Sequence, residues 1–164
     1  MLISPELNQA INAQIGHEMG AHLQYLSIAA YFDSQHLELL AKLYFKQADE
    51  ENAHALKLVH YILDTQGELR LPAIPAPEPS FASAQAAAQA ALAWETEVTG
   101  QINQLMAIAV AGNDFLAQSF LQWFVDEQLE EMQNAAQILS VIQRSGEKNL
   151  LMVEAYLAHL DLKR

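Results

Sequence analysis

The chain contains no cysteine, which excludes a disulfide frame and any thiolate metal site. Oxygen and imidazole are left as the strong metal donors, a set that suits iron or manganese. Cationic side chains are also scarce: Lys and Arg number 8 against 20 Asp and Glu, for a formal charge of −12. That balance repels nucleic acid and anionic membrane surfaces and attracts cations. No nucleic-acid or membrane partner is expected, and a cationic ligand is. No apolar run approaches the ~20 residues needed to span a bilayer. The start, Met1-Leu2-Ile3-Ser4-Pro5-Glu6, lacks the basic and apolar segments of a signal peptide, so a cytoplasmic location is the expectation. Proline is rare and confined: apart from Pro5 it all falls between Pro72 and Pro79.

What is present is helical pattern. With 164 residues and 52% hydrophobic content, residues 1–164 are expected to form a single all-α domain with a substantial core. Ser4 can cap a helix, Pro5 fits its first position and Glu6 complements its positive end. That first helix, about 5–33, carries Leu7, Ile11, Ile15, Tyr25, Ala29 and Phe32 on one stripe around Glu18. A second, about 37–66, stops at Gly67 and sets Leu40, Tyr44, Gln47, Ala55, Leu58 and Ile62 beside Glu51 and His54. The stretch 67–82 holds Pro72, Pro75, Pro77 and Pro79, which forbid regular helix and favour an extended strap. A connection of that length suits neighbouring helices that run parallel, as in bundles with one long crossover.

The third helix, about 83–111, surrounds Glu95 with Ala88, Ala91, Leu92, Val98, Ile102, Met106 and Ala109 and ends at Gly112. Asn113-Asp114 can cap a fourth, about 114–144, which places Phe120, Phe124, Ala135, Ile138 and Ile142 with Glu127, Gln128 and Glu131. A short fifth, about 150–160, has little partner surface of its own. Leu26, Tyr31 and Leu37 read as apolar residues on outer faces, which favours self-association. Gly20 and Gly100, inside helices, each cost ~1 kcal/mol relative to alanine.

The chemistry lies in where the acids fall. Glu51-Asn52-Ala53-His54 puts a carboxylate and an imidazole three residues apart, on one helix face, which is half of a metal site. Glu18, Glu95 and the cluster Glu127, Gln128, Glu130, Glu131 occupy the expected inner faces of the other three long helices. A lone buried carboxylate must be neutralised or destabilises the fold by several kcal/mol. No Lys or Arg occurs on these stripes, so bound cations are the simplest compensation. Taken alone, the Glu-x-x-His pair reads as a solvated face or a satisfied core histidine, and its coincidence with central acids on three other helices carries the metal reading. Tyr25 is placed to hydrogen-bond a metal ligand or to donate an electron, or else to fill the core. Trp123 is expected to pack, and His22 to be a ligand or to bond a neighbour. His17, His36, His60 and His159 are expected at the surface. Glu50, beside Glu51, is either a solvated charge or part of a third metal position with Glu127 and Glu130.

These residues carry a resemblance. Ile15-Gly16-His17-Glu18-Met19-Gly20-Ala21-His22-Leu23-Gln24-Tyr25, Asp49-Glu50-Glu51-Asn52-Ala53-His54-Ala55, Glu95, and the run from Phe120 to Glu131 resemble a non-haem bacterial or archaeal ferritin over nearly the whole chain. The resemblance implies a ferritin-like four-helix bundle with one long crossover between its second and third helices and a short fifth helix. By that resemblance Glu18, Glu51 and His54 hold one iron and Glu51 bridges. Glu95 and Glu131 hold the second iron with Gln128 close by, and Glu50, Glu127, Glu130 and Glu131 form a third site. It also implies ferroxidase activity with dioxygen or peroxide, and a hollow shell of 24 identical subunits that stores hydrated ferric oxide. Bacterioferritins resemble the chain less: helix four offers Gln128 and Glu131 without a histidine, and Asn52 stands where their haem-ligating methionine would be. No haem is therefore expected. A di-metal oxygenase or catalase, and a purely structural bundle with solvated acids, remain the alternative classes.

Overall fold

The computed structural model describes residues 2–161. Its helices are α1 (Pro5–Ser34), α2 (Glu38–Asp64), α3 (Ala84–Ala111), α4 (Phe115–Ser145) and α5 (Leu150–Asp161), with a 3-10 turn at Glu147–Asn149. None is long and apolar enough to cross a membrane.

Local chemistry starts these helices. The Ser4 hydroxyl accepts from the Leu7 amide at 3.2 Å, with Pro5 in the first turn. Ser83 caps α3 through the Ala86 amide at 3.0 Å, and Asp114 caps α4 through the Ala117 amide at 2.9 Å. α2 has no cap of its own, because Leu37 precedes it. Glu154 of α5 substitutes, accepting from the Leu39 and Leu40 amides at 2.8 and 2.9 Å. Glu147 does the same for α3, accepting from Ala84 and Gln85 at 3.1 and 2.9 Å. Each carboxylate satisfies two orphan donors and faces the positive helix end. α5 thus has more partner surface than its sequence suggests: Val153 and Leu157 are buried against the core, and Glu154 locks onto α2.

Helix direction follows from the contacts. The Leu2 amide donates to the Thr65 carbonyl, so the end of α2 lies beside the start of α1 and the two are antiparallel. The strap then returns along α1. Asn12 Nδ2 donates to the Glu68 carbonyl at 2.9 Å, Gln24 Oε1 accepts from the Glu78 amide at 2.9 Å, and Phe81 packs on Tyr31 near the end of α1. Consequently α3 starts at the far end and runs parallel to α2. The two are not neighbours, however. α1 packs against both α2 and α3, α3 packs against α4, and α4 meets α2 through side chains such as the stacked Phe120 and Tyr61. The strap therefore joins helices across the bundle diagonal, which a length argument alone does not distinguish from adjacent placement.

Close packing explains two glycines, Gly16 against the strap and Gly20 against α3. A Cβ on Gly16 would collide with the Pro72 ring, and one on Gly20 would lie 3.2 Å from Trp94. Gly100 has nothing within 4 Å, and its presence has no packing reason here. The left-handed residues that follow α2 and α3 are Gln66 (φ 59°) and Asn113 (φ 52°) rather than Gly67 and Gly112. Leu37 is not an outer-face residue: only 5% of it is exposed, and Leu26 and Tyr31 pack against the same core cluster. The chain folds α5 over this end of the bundle. The large exposed apolar residues lie elsewhere, among them Phe115, Leu129 and Leu151.

The interior is split in two. One apolar cluster gathers Tyr25, Ile28, Phe32, Leu40, Tyr44, Ile138 and Val153; the other gathers Leu7, Ile11, Ile15, Leu58, Ile102, Leu121 and Phe124. Along each long helix the acid falls at the seam: Glu18 between Ile15 and Ala21, Glu51 between Ala48 and Ala55, Glu95 between Ala91 and Val98, Glu131 between Phe124 and Ile138.

Candidate metal centre

At that seam Glu18 (α1), Glu51 and His54 (α2), Glu95 (α3), and Gln128 and Glu131 (α4) are all buried, none more than 5% exposed. Helical spacing delivers them: residues three and four apart share a face, so His54 follows Glu51 and Glu131 follows Gln128 inward. Two three-donor sets result, Glu18–Glu51–His54 and Glu51–Glu95–Glu131, each with one ligand atom per residue within 4.8 Å of the others. Glu51 belongs to both. His54 Nδ1 lies 3.3 Å from Glu51 Oε2 and 3.9 Å from Glu18 Oε2. Its ring is walled by Trp123 and Phe124 in edge-to-face contacts at 5.4 and 6.0 Å, while the Lys57 ammonium sits 4.2 Å from the Trp123 ring centre on the outer side. Trp123 thus packs, as expected.

A shell of amide and hydroxyl donors fixes the carboxylates. Gln14 Nε2 donates to Glu18 Oε1 at 2.9 Å, and Gln47 Nε2 donates to Glu51 Oε1 at 2.9 Å and Glu131 Oε2 at 2.6 Å. Gln128 Nε2 donates to Glu95 Oε2 and to Thr99 Oγ1, both at 3.1 Å, and the Tyr25 hydroxyl donates to Glu95 Oε1. Sequence reasoning placed Gln47 on the right face without a role and overlooked Gln14 and Thr99. The available signal was a glutamine four residues before a central acid, in Gln14/Glu18 and again in Gln47/Glu51. His22, half-buried, turns its Nδ1 to the Ala48 carbonyl at 2.7 Å instead of to the acids. His17, His36, His60 and His159 are exposed.

The four acids are out of electrostatic balance. Burial, reinforced by the Glu51 charge, holds Glu18 well above the usual carboxylate range, and Glu18 Oε2 has no hydrogen-bond partner. Burial and the Glu51 charge push Glu95 up to about 7; burial and the Glu95 charge push Glu131 up to about 8. Burial works to lower His54, but the hydrogen bond and charge of Glu51, with Glu127 and Glu95 behind, outweigh it and raise the imidazole. Burial and the Glu95 charge keep the Tyr25 hydroxyl protonated. No Lys or Arg is among the buried polar residues described. An unpartnered carboxylate oxygen, several acids holding protons near neutral pH and a single imidazole form a donor set that divalent cations would complete, displacing those protons as they bind.

Beyond the seam, a cavity of about 360 Å³ is lined by Glu50, Glu127, Glu130 and Glu131 together with Gln47 and Lys46. Its acids do not form one compact set. Glu50 pairs with Lys46 at 3.1 Å and is partly exposed, Glu130 is exposed, and Glu127 gathers instead with His54 and Glu131.

A family model described as Ferritin-like domain matches residues 8–145. The chain is 39% identical over 145 residues to ferritin BfrB of Mycobacterium tuberculosis, covering 88% of this chain and 80% of that protein. It is 36% identical to a bacterial non-heme ferritin of Staphylococcus haemolyticus, covering 89% and 88%. Among solved structures, an open pore ferritin of the hyperthermophilic archaeon Archaeoglobus fulgidus superposes with a TM-score of 0.90 at 34% identity, covering 95% of this chain and 96% of that one.

Proposed function

The chain belongs to the ferritin family, and from that premise we propose that it stores and detoxifies iron as a ferroxidase. Fe(II) is the substrate. Glu18, Glu51 and His54 bind one ion, Glu95 and Glu131 the other, and Glu51 reaches both. The observation that carries this reading is the pair of overlapping buried donor sets supplied by four different helices. Their roles follow from their chemistry. Carboxylates position the ions and offset their charge, and Gln14, Gln47 and Gln128 orient the carboxylates. Trp123 and Phe124 fix the imidazole. Tyr25 donates to Glu95 and holds that carboxylate in place.

Each of two Fe(II) gives up one electron, and the two electrons reduce dioxygen to hydrogen peroxide, or peroxide to water. The Fe(III) product passes toward the acidic cavity, where Glu50, Glu127 and Glu130 form a transit position, and mineralises inside a shell of 24 copies. Exposed apolar residues such as Phe115 and Leu151, each 75% exposed in the single chain, support self-association. The test is stopped-flow oxidation of Fe(II) in air. Glu51→Ala and His54→Ala are expected to lose the fast phase while keeping helical content and assembly. Initial rates equal to wild type in both variants would overturn these assignments.

A further inference from the structure

We propose that Gln47 is a gate between the buried centre and the acidic cavity, a positioning residue whose amide holds Glu131 in the centre and so sets how fast an ion leaves. The proposal rests on reading the centre as a metal site.

Both hydrogens of the Gln47 amide nitrogen are committed, one to Glu51 Oε1 on its own helix at 2.9 Å and one to Glu131 Oε2 on α4 at 2.6 Å. Once a cation displaces the proton of Glu131, the acceptor is ionised, and hydrogen bonds to ionised acceptors are the short, strong ones; this pair ties α2 to α4 at the edge of the site. Gln14 and Gln128 also hold carboxylates, but both are buried, whereas Gln47 is only partly so and lines the cavity with Glu50, Glu127 and Glu130. Its amide faces the centre on one side and the cavity on the other.

Glu131 is the carboxylate it acts on, and Glu131 has two allegiances. It gathers with Glu51 and Glu95 inside the centre, and it also lines the cavity beside Glu127. Gln47 holds it on the inner side, beside Glu51. An ion that moves outward while still held by Glu131 draws that carboxylate toward the cavity, and the movement breaks the bond from Gln47. The gate is thus the hydrogen bond from Gln47 to Glu131, a carboxylate that the centre and the cavity share.

The test uses the assembled full-length protein loaded with Zn(II), which carries no redox chemistry, mixed with excess chromogenic chelator and followed by stopped flow. Gln47→Met keeps the length and bulk of the side chain without its donors; Gln47→Ala removes both. Both variants lose the bonds to Glu51 and Glu131, and release from the centre is expected to be about tenfold faster in each, set by the lost bond to Glu131, with the same Zn(II) bound per chain at saturation. Equal release rates in wild type and both variants overturn the gate and leave the metal centre standing. Acceleration confined to Gln47→Ala also overturns it, because lost bulk rather than lost donors would then be responsible. Failure of the wild type to bind Zn(II) overturns the centre and the gate together.

Discussion

Stability of the metal-free protein is expected to fall as pH rises from about 5 to about 8, against the usual behaviour of paired surface carboxylates. The cause is Glu95 and Glu131. Their ordinary value is 4.5, and in the fold they stand at about 7 and about 8. A group whose folded value is raised binds more protons in the folded than in the unfolded state between those two values, so stability present below pH 4.5 is lost as pH climbs through 7 and 8. His54, also raised, works in the same direction. At ~1.4 kcal/mol per pH unit, Glu131 alone accounts for on the order of 5 kcal/mol. Glu95 adds less than its separate share, because its charge is part of what raises Glu131. The assay is thermal unfolding of the apo protein across this range, beside a Glu95→Gln/Glu131→Gln variant that cannot ionise at either position. Wild type is expected to lose melting temperature steadily with rising pH and to recover it on adding Zn(II), while the variant shows a shallower slope and little response to metal. A wild-type slope equal to the variant's, or of opposite sign, would refute the claim that these carboxylates are forced together against their charge.

Three further outcomes follow from particular contacts. Tyr25→Phe removes a donor that favours ionised Glu95, so Zn(II) affinity measured by calorimetry near pH 6.5 should drop several-fold and recover above pH 8; affinity unchanged at both values would contradict the role given to the hydroxyl. Glu154→Ala leaves the start of α2 uncapped and should cost about 1–2 kcal/mol in denaturant titration, whereas the neighbouring exposed Met152→Ala should cost far less. Gly16→Ala should destabilise by forcing the Pro72 strap outward, and Gly100→Ala, with open space around it, should stabilise by up to ~1 kcal/mol; equal effects at the two positions would argue against the packing of the strap.

The apolar stripes and the acids interrupting them were legible in the sequence because helical periodicity places both without reference to any partner. Glu18, Glu51, His54, Glu95 and Glu131 come together wherever four such stripes face one another. Less local features were not legible. The diagonal relation of α2 to α3 depends on how the strap packs, through Asn12, Gln24 and the bare surface of Gly16, and the two polar residues do not stand out among ordinary helical ones. Glu147 and Glu154 look like solvated charges until the last helix folds back to present them to the open ends of α3 and α2. Leu37 reads as an outward residue for the same reason, since the cover that buries it arrives from over a hundred residues away in the chain. Gln14 and Gln47 match the polarity of an exposed face, and only the four-residue interval to a central acid distinguishes them. For Glu50 and Glu130 the sequence left a solvated charge and a cavity position open together, and the fold combines them: both line the acidic cavity, Glu50 partly exposed beside Lys46 and Glu130 exposed.

The central claim is that buried acids from four helices converge to hold two cations side by side. Anomalous diffraction at the iron edge, from crystals of the protein soaked in Fe(II) without oxygen, tests it most directly. Two peaks per chain are predicted, one among Glu18, Glu51 and His54 and one among Glu51, Glu95 and Glu131, with Glu51 touching both. Saturating iron with no density at that seam, or a single ion held away from Glu51, would contradict the account.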